Sequence, residues 1–297
     1  HGSVSCGTMR VMTAPTVGSP RRLAILGGGQ MGGAILARAL ASGLYAPSDV
    51  TVSDADAAAR TRLERDHGVR TLFDAAAAVT GASCILIAVK PQVLAVVGRD
   101  LRGRLALGQV VLSIAAGIEI DTIRDALGHD EVVRAMPNTP AQVGQGVTAW
   151  CATDAVSQAS RGEVRDLLRA VGTEFEVDAE RYLDMVTAVS GSGPAWAMLV
   201  IEAMTDAGVN LGLRRDWAYE LVLQTFAGSV ALARETGRHP ADLRNSVTTP
   251  GGTTAAGLAA MERAGARASL ADGIEAAYRR AVDLGAAARA ASGNVSR

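Results

Sequence analysis

From Leu23 to about Tyr182, short unbroken apolar runs recur between Ala-rich and charge-rich stretches of helical length: LAIL, VTV, CILIAV, VVLSIA and VVRAM. A strand that is apolar at every position is buried on both faces, and strands of this kind separated by helices predict a parallel sheet with helices above and below it. Residues 21–180 are therefore expected to form a doubly wound α/β domain. Two further β runs between Gly146 and Val177, around an amphipathic stretch from Ala155 to Val171, are expected to finish the sheet at its far edge. After Tyr182 the β pattern stops. Helices are expected over Leu183–Val189, Pro194–Leu213, Trp217–Thr236, Thr254–Ala264 and Ala268 to about Arg289, which makes 181–297 an all-α domain. The stretch AWAMLVIEAM after Gly193 and Pro194 is apolar almost all round, so it belongs in an interior. A domain of this size can hardly cover such a helix alone. Burial against a second subunit is expected, with a self-contained bundle core as the plainer alternative.

At 297 residues the chain is long enough for two cored domains. A net charge of −1, from 29 basic and 30 acidic residues, provides no chain-wide basic field, so nucleic acid is not expected as a partner. Lys90 is the single lysine, and any role that needs a deprotonatable amine has one candidate. Cys6, Cys84 and Cys151 are odd in number and far apart, and the last two sit in apolar runs, as expected of buried thiols in a reducing compartment. His1, His67, His129 and His239 never pair at ligand spacing, and no metal site is expected. No uncharged apolar stretch reaches the roughly 18 residues of a spanning helix, which points to a cytoplasmic protein without membrane contact. Residues 1–20, opening HGSVSCGT without Met, are expected to be a disordered leader or cloning remnant.

The run LAIL leads directly into Gly27, Gly28, Gly29, Gln30, Met31 and Gly32, and then into a helical stretch. This is GxGxxG between a strand and a helix. Gly27 permits the tight turn, Gly29 lets backbone approach a pyrophosphate, Gly32 allows close helix packing, and the helix N-terminus faces the phosphates. Dinucleotide binding is the expectation, against an ordinary strand-to-helix turn. The next strand ends at Ser53 and Asp54, 22 residues after Gly32, where a carboxylate can accept both ribose hydroxyls of NAD and repels the 2′-phosphate of NADP. NADH is thus favoured over NADPH, although Arg60 could offset the repulsion. Asp54 could equally cap a helix starting near Ala55.

Ligands bind outside the carboxyl ends of parallel strands. Three segments meet that condition: Ala88, Val89, Lys90, Pro91; Ala115, Ala116, Gly117; and Met136 to Pro140, with Asn138 at its centre. They are expected to line one cleft, with Lys90 either bonding the cofactor ribose or standing as a solvated charge. In the helical half, Ser190, Gly191, Ser192, Gly193 and Pro194 are expected to form a loop. Thr248, Thr249, Pro250, Gly251, Gly252, Thr253 and Thr254 precede a helix, and free amides at such a start suit a carboxylate. A capped helix in a Gly-rich turn is the alternative for each.

Taken in order and at these spacings, GGGQMG, AVKP, AAG, MPNTP, SGSGPA and TTPGGTT resemble the pyrroline-5-carboxylate reductase family from Leu23 to Leu284, with TTPGGTTAAGLAAME the most specific stretch. The resemblance implies a Rossmann-type doubly wound domain, an all-α dimerisation domain interleaved with its partner, and NAD(P)H reduction of 1-pyrroline-5-carboxylate to L-proline. It implies that the loop Thr249–Thr254, including Gly251, Gly252 and Thr253, holds the substrate carboxylate in a cleft shared between subunits. The Thr254 hydroxyl would lie at the ring nitrogen, and Ser192 belongs to the same substrate site. Dimers assemble further in relatives. The chain departs from the pattern at Ser246, where some relatives carry Asn or Gln, and at Asp54, where many lack an acid and take NADPH. Reduction of an imine demands no catalytic Lys, Cys or His. Two other functions are weighed. A β-hydroxyacid dehydrogenase shares the domain order but needs a lysine early in its helical domain, where this chain has none. A catalytically idle cofactor sensor would not need the whole substrate loop.

Overall fold

A computed structural model describes the backbone of residues 21–293. The leader expected over residues 1–20 lies outside the described residues. Strand β1 (Leu23–Leu26) leads into α1 (Gln30–Ala41), β2 (Val50–Ser53), α2 (Ala57–His67), β3 (Arg70–Leu72), the single turn α3 (Ala75–Ala78) and β4 (Cys84–Ile87). The chain continues through α4 (Leu94–Leu101), β5 (Val110–Ser113), α5 (Ile120–Leu127), β6 (Val132–Met136), β7 (Gly146–Ala152), α6 (Gln158–Arg169) and β8 (Gly172–Glu176). The eight strands form one sheet in the order β3-β2-β1-β4-β5-β6-β7-β8, and the first six are parallel.

Alternation along each buried strand builds two cores. Leu23, Ile25, Cys84 and Leu86 point to the side of α1 and α6, and Ala24, Leu26, Ile85 and Ile87 to the side of α4 and α5. The sheet is not wholly parallel, which corrects the expectation in one respect. β7 returns antiparallel to β6 after a short turn, and β8 runs parallel to β7 at the far edge. The connection is only nine residues long, 137–145, five of them in a 3-10 turn at Thr139–Val143, too few for a crossover helix.

The helical part comprises α7 (Arg181–Val186), α8 (Gly193–Asn210), α9 (Arg215–Thr236), α10 (Pro240–Ser246), α11 (Thr253–Arg263) and α12 (Ala266–Gly293). It has little core of its own. Among the described residues α8 buries only Ile201 and Thr205 and α9 only Ala218 and Val222, α10 and α11 bury none, and Leu183 of α7 and Ala281 of α12 are buried at the helical part's two ends. Met198 and Leu199 on α8 stay 60% and 61% exposed, and Trp217, Leu221, Met261 and Leu270 are also open. Apolar exposure on this scale marks an interaction surface. Among the described residues no helix is long and apolar enough to cross a membrane.

The SGSGP segment is not a loop, contrary to expectation. Thr187–Gly191 form a π-helical turn, Ser192 is helical at φ −83°, ψ −16°, and the chain runs on into α8. Pro194 fits there because the first turn of a helix leaves its amides without intrahelical partners.

Candidate functional site

The carboxyl ends of β1, β4, β5 and β6 lie side by side, so the segments that follow them share one edge of the sheet. Gly27 has φ +101°, and a Cβ there would sit 2.9 Å from the carbonyl of Ala88, so both the turn and the approach to the β4 end require glycine. A Cβ on Gly32 would lie 2.0 Å from the Gly27 oxygen, which is how α1 packs so close to the turn. A Cβ on Gly29 would meet nothing within 4 Å. Gly29 is also the N-cap of α1 and offers no side chain, so the first-turn amides at Gln30, Met31 and Gly32 face outward. These features fit a dinucleotide pyrophosphate: open space over Gly29, and partial positive charge from the helix start.

Asp54 follows β2 immediately and is half-buried. Its Oδ2 accepts from the Gly28 N–H at 2.7 Å and its Oδ1 from the Asp56 N–H at 2.9 Å. The carboxylate therefore braces the glycine turn, a role the sequence did not disclose. It does not cap α2. That cap is Asp56, whose side chain accepts from the Ala58 N–H. Arg60 donates to the backbone carbonyls of Asp54 and Ala55 at 2.7 and 3.1 Å and lies over the ring of Phe73, leaving the Asp54 carboxylate unneutralised by it. Ser53 is buried, and its hydroxyl donates to the Phe73 carbonyl.

Ala88 packs beneath Gly27 and Gly32, Val89 and Pro91 are half-buried, and Lys90 is exposed at the start of a short 3-10 turn. Ala115 is buried and Ala116 exposed. Gly117, at φ +72°, touches Leu284 and Gly285 of α12, so the helical part closes over the third segment. Asn138 is buried, with Oδ1 accepting from the Val147 N–H at 2.9 Å and Nδ2 donating to the Ser190 carbonyl at 3.2 Å. Ser192 is half-buried two residues further along. A second tie joins sheet and helices at the same place. The buried Arg134 on β6 pairs with Glu180 at 2.8 Å and Asp184 at 2.9 Å, and Glu180 also accepts from the Ile120 N–H at the start of α5. Removing one member of such a buried group leaves the others uncompensated. Nothing in the sequence pattern singled out Arg134.

The loop from Thr249 to Thr254 stands apart from this edge, because α11 packs within the chain chiefly on α12. Gly251 has φ +72°, the Gly252 N–H donates to the Thr249 carbonyl at 3.0 Å, and Gly252 is the N-cap of α11 without a side-chain bond. Thr249 and Thr253 are exposed and Thr254 is half-buried. Thr254 is thus not a helix cap, and the first-turn amides of α11 face outward. The Ser246 hydroxyl is held by the Leu243 carbonyl. Cys84 and Cys151 are buried free thiols, and burial pushes Cys84 well up and Cys151 up to about 11.

A doubly wound sheet with an open glycine turn, joined to helices that lack a core, defines a dinucleotide-dependent oxidoreductase that completes itself by self-association. Residues 22–117 match the family described as NADP oxidoreductase, coenzyme F420-dependent, and residues 180–284 that described as pyrroline-5-carboxylate reductase dimerisation. The pyrroline-5-carboxylate reductase of a Synechocystis strain is 43% identical over 264 residues, covering 89% of this chain and 98% of that protein. The Pseudomonas aeruginosa reductase is 38% identical, covering 90% and 97%. Among solved structures, a pyrroline-5-carboxylate reductase from Coxiella burnetii superposes with a TM-score of 0.83 at 32% identity, over 89% of this chain and 98% of that one. A Plasmodium falciparum pyrroline carboxylate reductase with NADP bound gives 0.81 at 28%, with the same coverage. The chain belongs to the pyrroline-5-carboxylate reductase family.

Proposed function

We propose that this protein reduces 1-pyrroline-5-carboxylate to L-proline, with NADH favoured over NADPH as the hydride donor. The observation that carries the substrate assignment is the start of α11, where an uncapped helix presents outward amides beside the hydroxyls of Thr249, Thr253 and Thr254. A carboxylate is the ligand such a helix start accepts, and positive φ at Gly251 shapes the turn in front of it. The nicotinamide, when bound, supplies a hydride to the imine carbon. The C=N π pair then settles on the nitrogen, which enters the reaction protonated, becomes the ring amine, and takes its second proton from solvent or through the Thr254 hydroxyl.

The chain's own residues bind and orient. The turn at Gly27–Gly29 and the first amides of α1 hold the pyrophosphate, and Asp54 accepts the ribose hydroxyls with lone pairs not already taken by Gly28 and Asp56. Lys90 and the segments at Ala88–Pro91 and Ala115–Gly117 border the cofactor, and Asn138 stands behind them with its amide taken by Val147 and Ser190. The α11 amides fix the substrate carboxylate, Ser192 borders the ring, and the Thr254 hydroxyl sits at its nitrogen, orienting it or relaying a proton to it. Positioning of two reactants in a water-poor cleft supplies most of the rate in such a reaction. Since α11 packs chiefly on α12 within the chain, its loop serves a cleft completed by a second subunit.

The direct test follows NADH and NADPH oxidation with pyrroline-5-carboxylate, beside oxidation of β-hydroxyacids by NAD. Turnover of the imine alone supports the assignment, and turnover of β-hydroxyacids alone overturns it.

A further inference from the structure

The π-helical turn Thr187–Gly191 breaks the hydrogen-bond ladder between α7 and α8 at two carbonyls, and each is taken up by a side chain. The Ser192 N–H reaches back five residues to the Thr187 carbonyl at 2.8 Å, so the Ala188 carbonyl loses its helical donor, and the Trp196 indole N–H reaches it at 3.3 Å. The Ser190 carbonyl would take the N–H four residues on, but residue 194 is proline and has none. Its donor is Asn138 Nδ2, from the other domain, at 3.2 Å. The Asn138 amide can stand only one way round, since the Val147 N–H needs an acceptor and the Ser190 oxygen needs a donor. At the same contact a Cβ on Gly191 would lie 2.8 Å from Met136 Cε, so β6 and the turn meet with no room between them. Single-turn π insertions of this kind concentrate at functional sites, and a buried carbonyl left without a donor is costly.

We propose that Asn138 is a positioning residue: it pins the π-turn to the carboxyl end of β6 and so sets where Ser192 stands relative to the cofactor cleft. This rests on the reductase assignment for its catalytic consequence, though the pin itself does not depend on which substrate is reduced. The proline at 194 and the asparagine at 138 form one device. Proline removes the local donor, and the carbonyl is thereby committed to a partner on the sheet.

Asn138→Asp separates this role from cofactor binding and from bulk stability. The variant keeps an acceptor for the Val147 N–H, but its ionised carboxylate has no donor for the Ser190 oxygen and faces it with negative charge. Protonation returns a donor, and burial raises the pKa of such a carboxyl. The expected result is a loss of roughly 10- to 100-fold in kcat at pH 8, recovering as pH falls in the variant relative to wild type, with NADH affinity unchanged. Hydrogen exchange on the full-length protein should show faster exchange at Gly191–Ala195 in the variant. Adding Pro194→Ala, which supplies a helical N–H for the same carbonyl, should slow it again. A fall in NADH affinity with kcat preserved, or a lowered melting temperature with neither a kcat change nor local exchange at the turn, overturns the proposal. If wild type does not reduce pyrroline-5-carboxylate, the reductase assignment fails, and the exchange comparison still decides whether the pin exists.

Discussion

Substituting Asp54 by Asn separates two things this carboxylate does. Its oxygens hold the Gly28 N–H at 2.7 Å and the Asp56 N–H at 2.9 Å. A carboxamide keeps one acceptor, so one backbone donor loses its partner, at a cost of about 1.5–3 kcal/mol that NADH and NADPH binding share. The charge acts differently. A phosphate about 4 Å from a carboxylate at an effective dielectric near 20 is disfavoured by on the order of 4 kcal/mol. Asp54 is only half-buried, and screening at physiological salt reduces this to about 1–2 kcal/mol. Removing the negative charge relieves only the cofactor that carries the 2′-phosphate. The NADPH/NADH ratio of kcat/KM should therefore rise roughly 5- to 30-fold in Asp54→Asn, even though both values can fall through damage to the turn. Initial rates with each cofactor varied, for wild type and variant, give the ratio directly. An unchanged ratio with both values lowered makes Asp54 a brace alone. A strong wild-type preference for NADPH refutes its role as ribose acceptor.

Thr254→Ala should lower kcat/KM with pyrroline-5-carboxylate by about 10²- to 10⁴-fold if the hydroxyl relays a proton, and by about tenfold if it only orients the nitrogen. Since Gly252 is the N-cap of α11, the melting temperature should barely move, and unchanged kinetics remove Thr254 from the site. Leu199→Glu on the open face of α8 should weaken the dimer by at least about 3 kcal/mol over the two copies, or roughly 100-fold, and a light-scattering mass that stays dimeric at low micromolar concentration excludes that face from the interface. Burial favours the neutral Cys151 thiol and raises its pKa to about 11, so its contribution to stability is full below pH 9 and declines as pH rises towards 11. Mass-mapped iodoacetamide labelling of native protein at pH 8 should spare Cys151, and rapid labelling contradicts its burial.

The parts of the fold that depend on a long apolar run were legible in the sequence. Leu23–Leu26, Cys84–Ile87 and Val110–Ser113 are buried at every position, and such a run has no other place in a folded chain. Edge strand β3 has no such run, because Arg70–Leu72 are exposed or half-buried. Helix α10 escaped notice because seven residues starting at Pro240 bury no side chain and show no periodicity. The π-turn was hidden by its own composition: Ser, Gly and Pro together predict a loop, and the donors that satisfy its free carbonyls are side chains, Asn138 from the sheet and Trp196 from the next turn of α8. The tight turn at Gly27 and the close packing at Gly32 were legible, since GxGxxG carries that geometry in the residue type. The brace from Asp54 to Gly28 and the Arg134–Glu180–Asp184 tie join residues 26 and about 50 apart in the chain, and a single sequence holds no record of that proximity.

The central claim is that a carboxylate-bearing cyclic imine is reduced in a cleft that two subunits complete. The measurement that meets it most directly mixes two inactive variants, one altered in the glycine turn (Gly29→Asp) and one in the substrate loop (Gly252→Asp, which crowds Thr249 and sets a negative charge against the substrate carboxylate), after dissociation and reassociation of the dimers. A turn from one chain and a loop from the other then form one intact cleft in each heterodimer. The account predicts that pyrroline-5-carboxylate reduction by NADH reappears, approaching a quarter of the wild-type rate for random pairing of equal amounts. Mixtures that stay inactive, while light scattering and tagged pull-down show that heterodimers have formed, would contradict it.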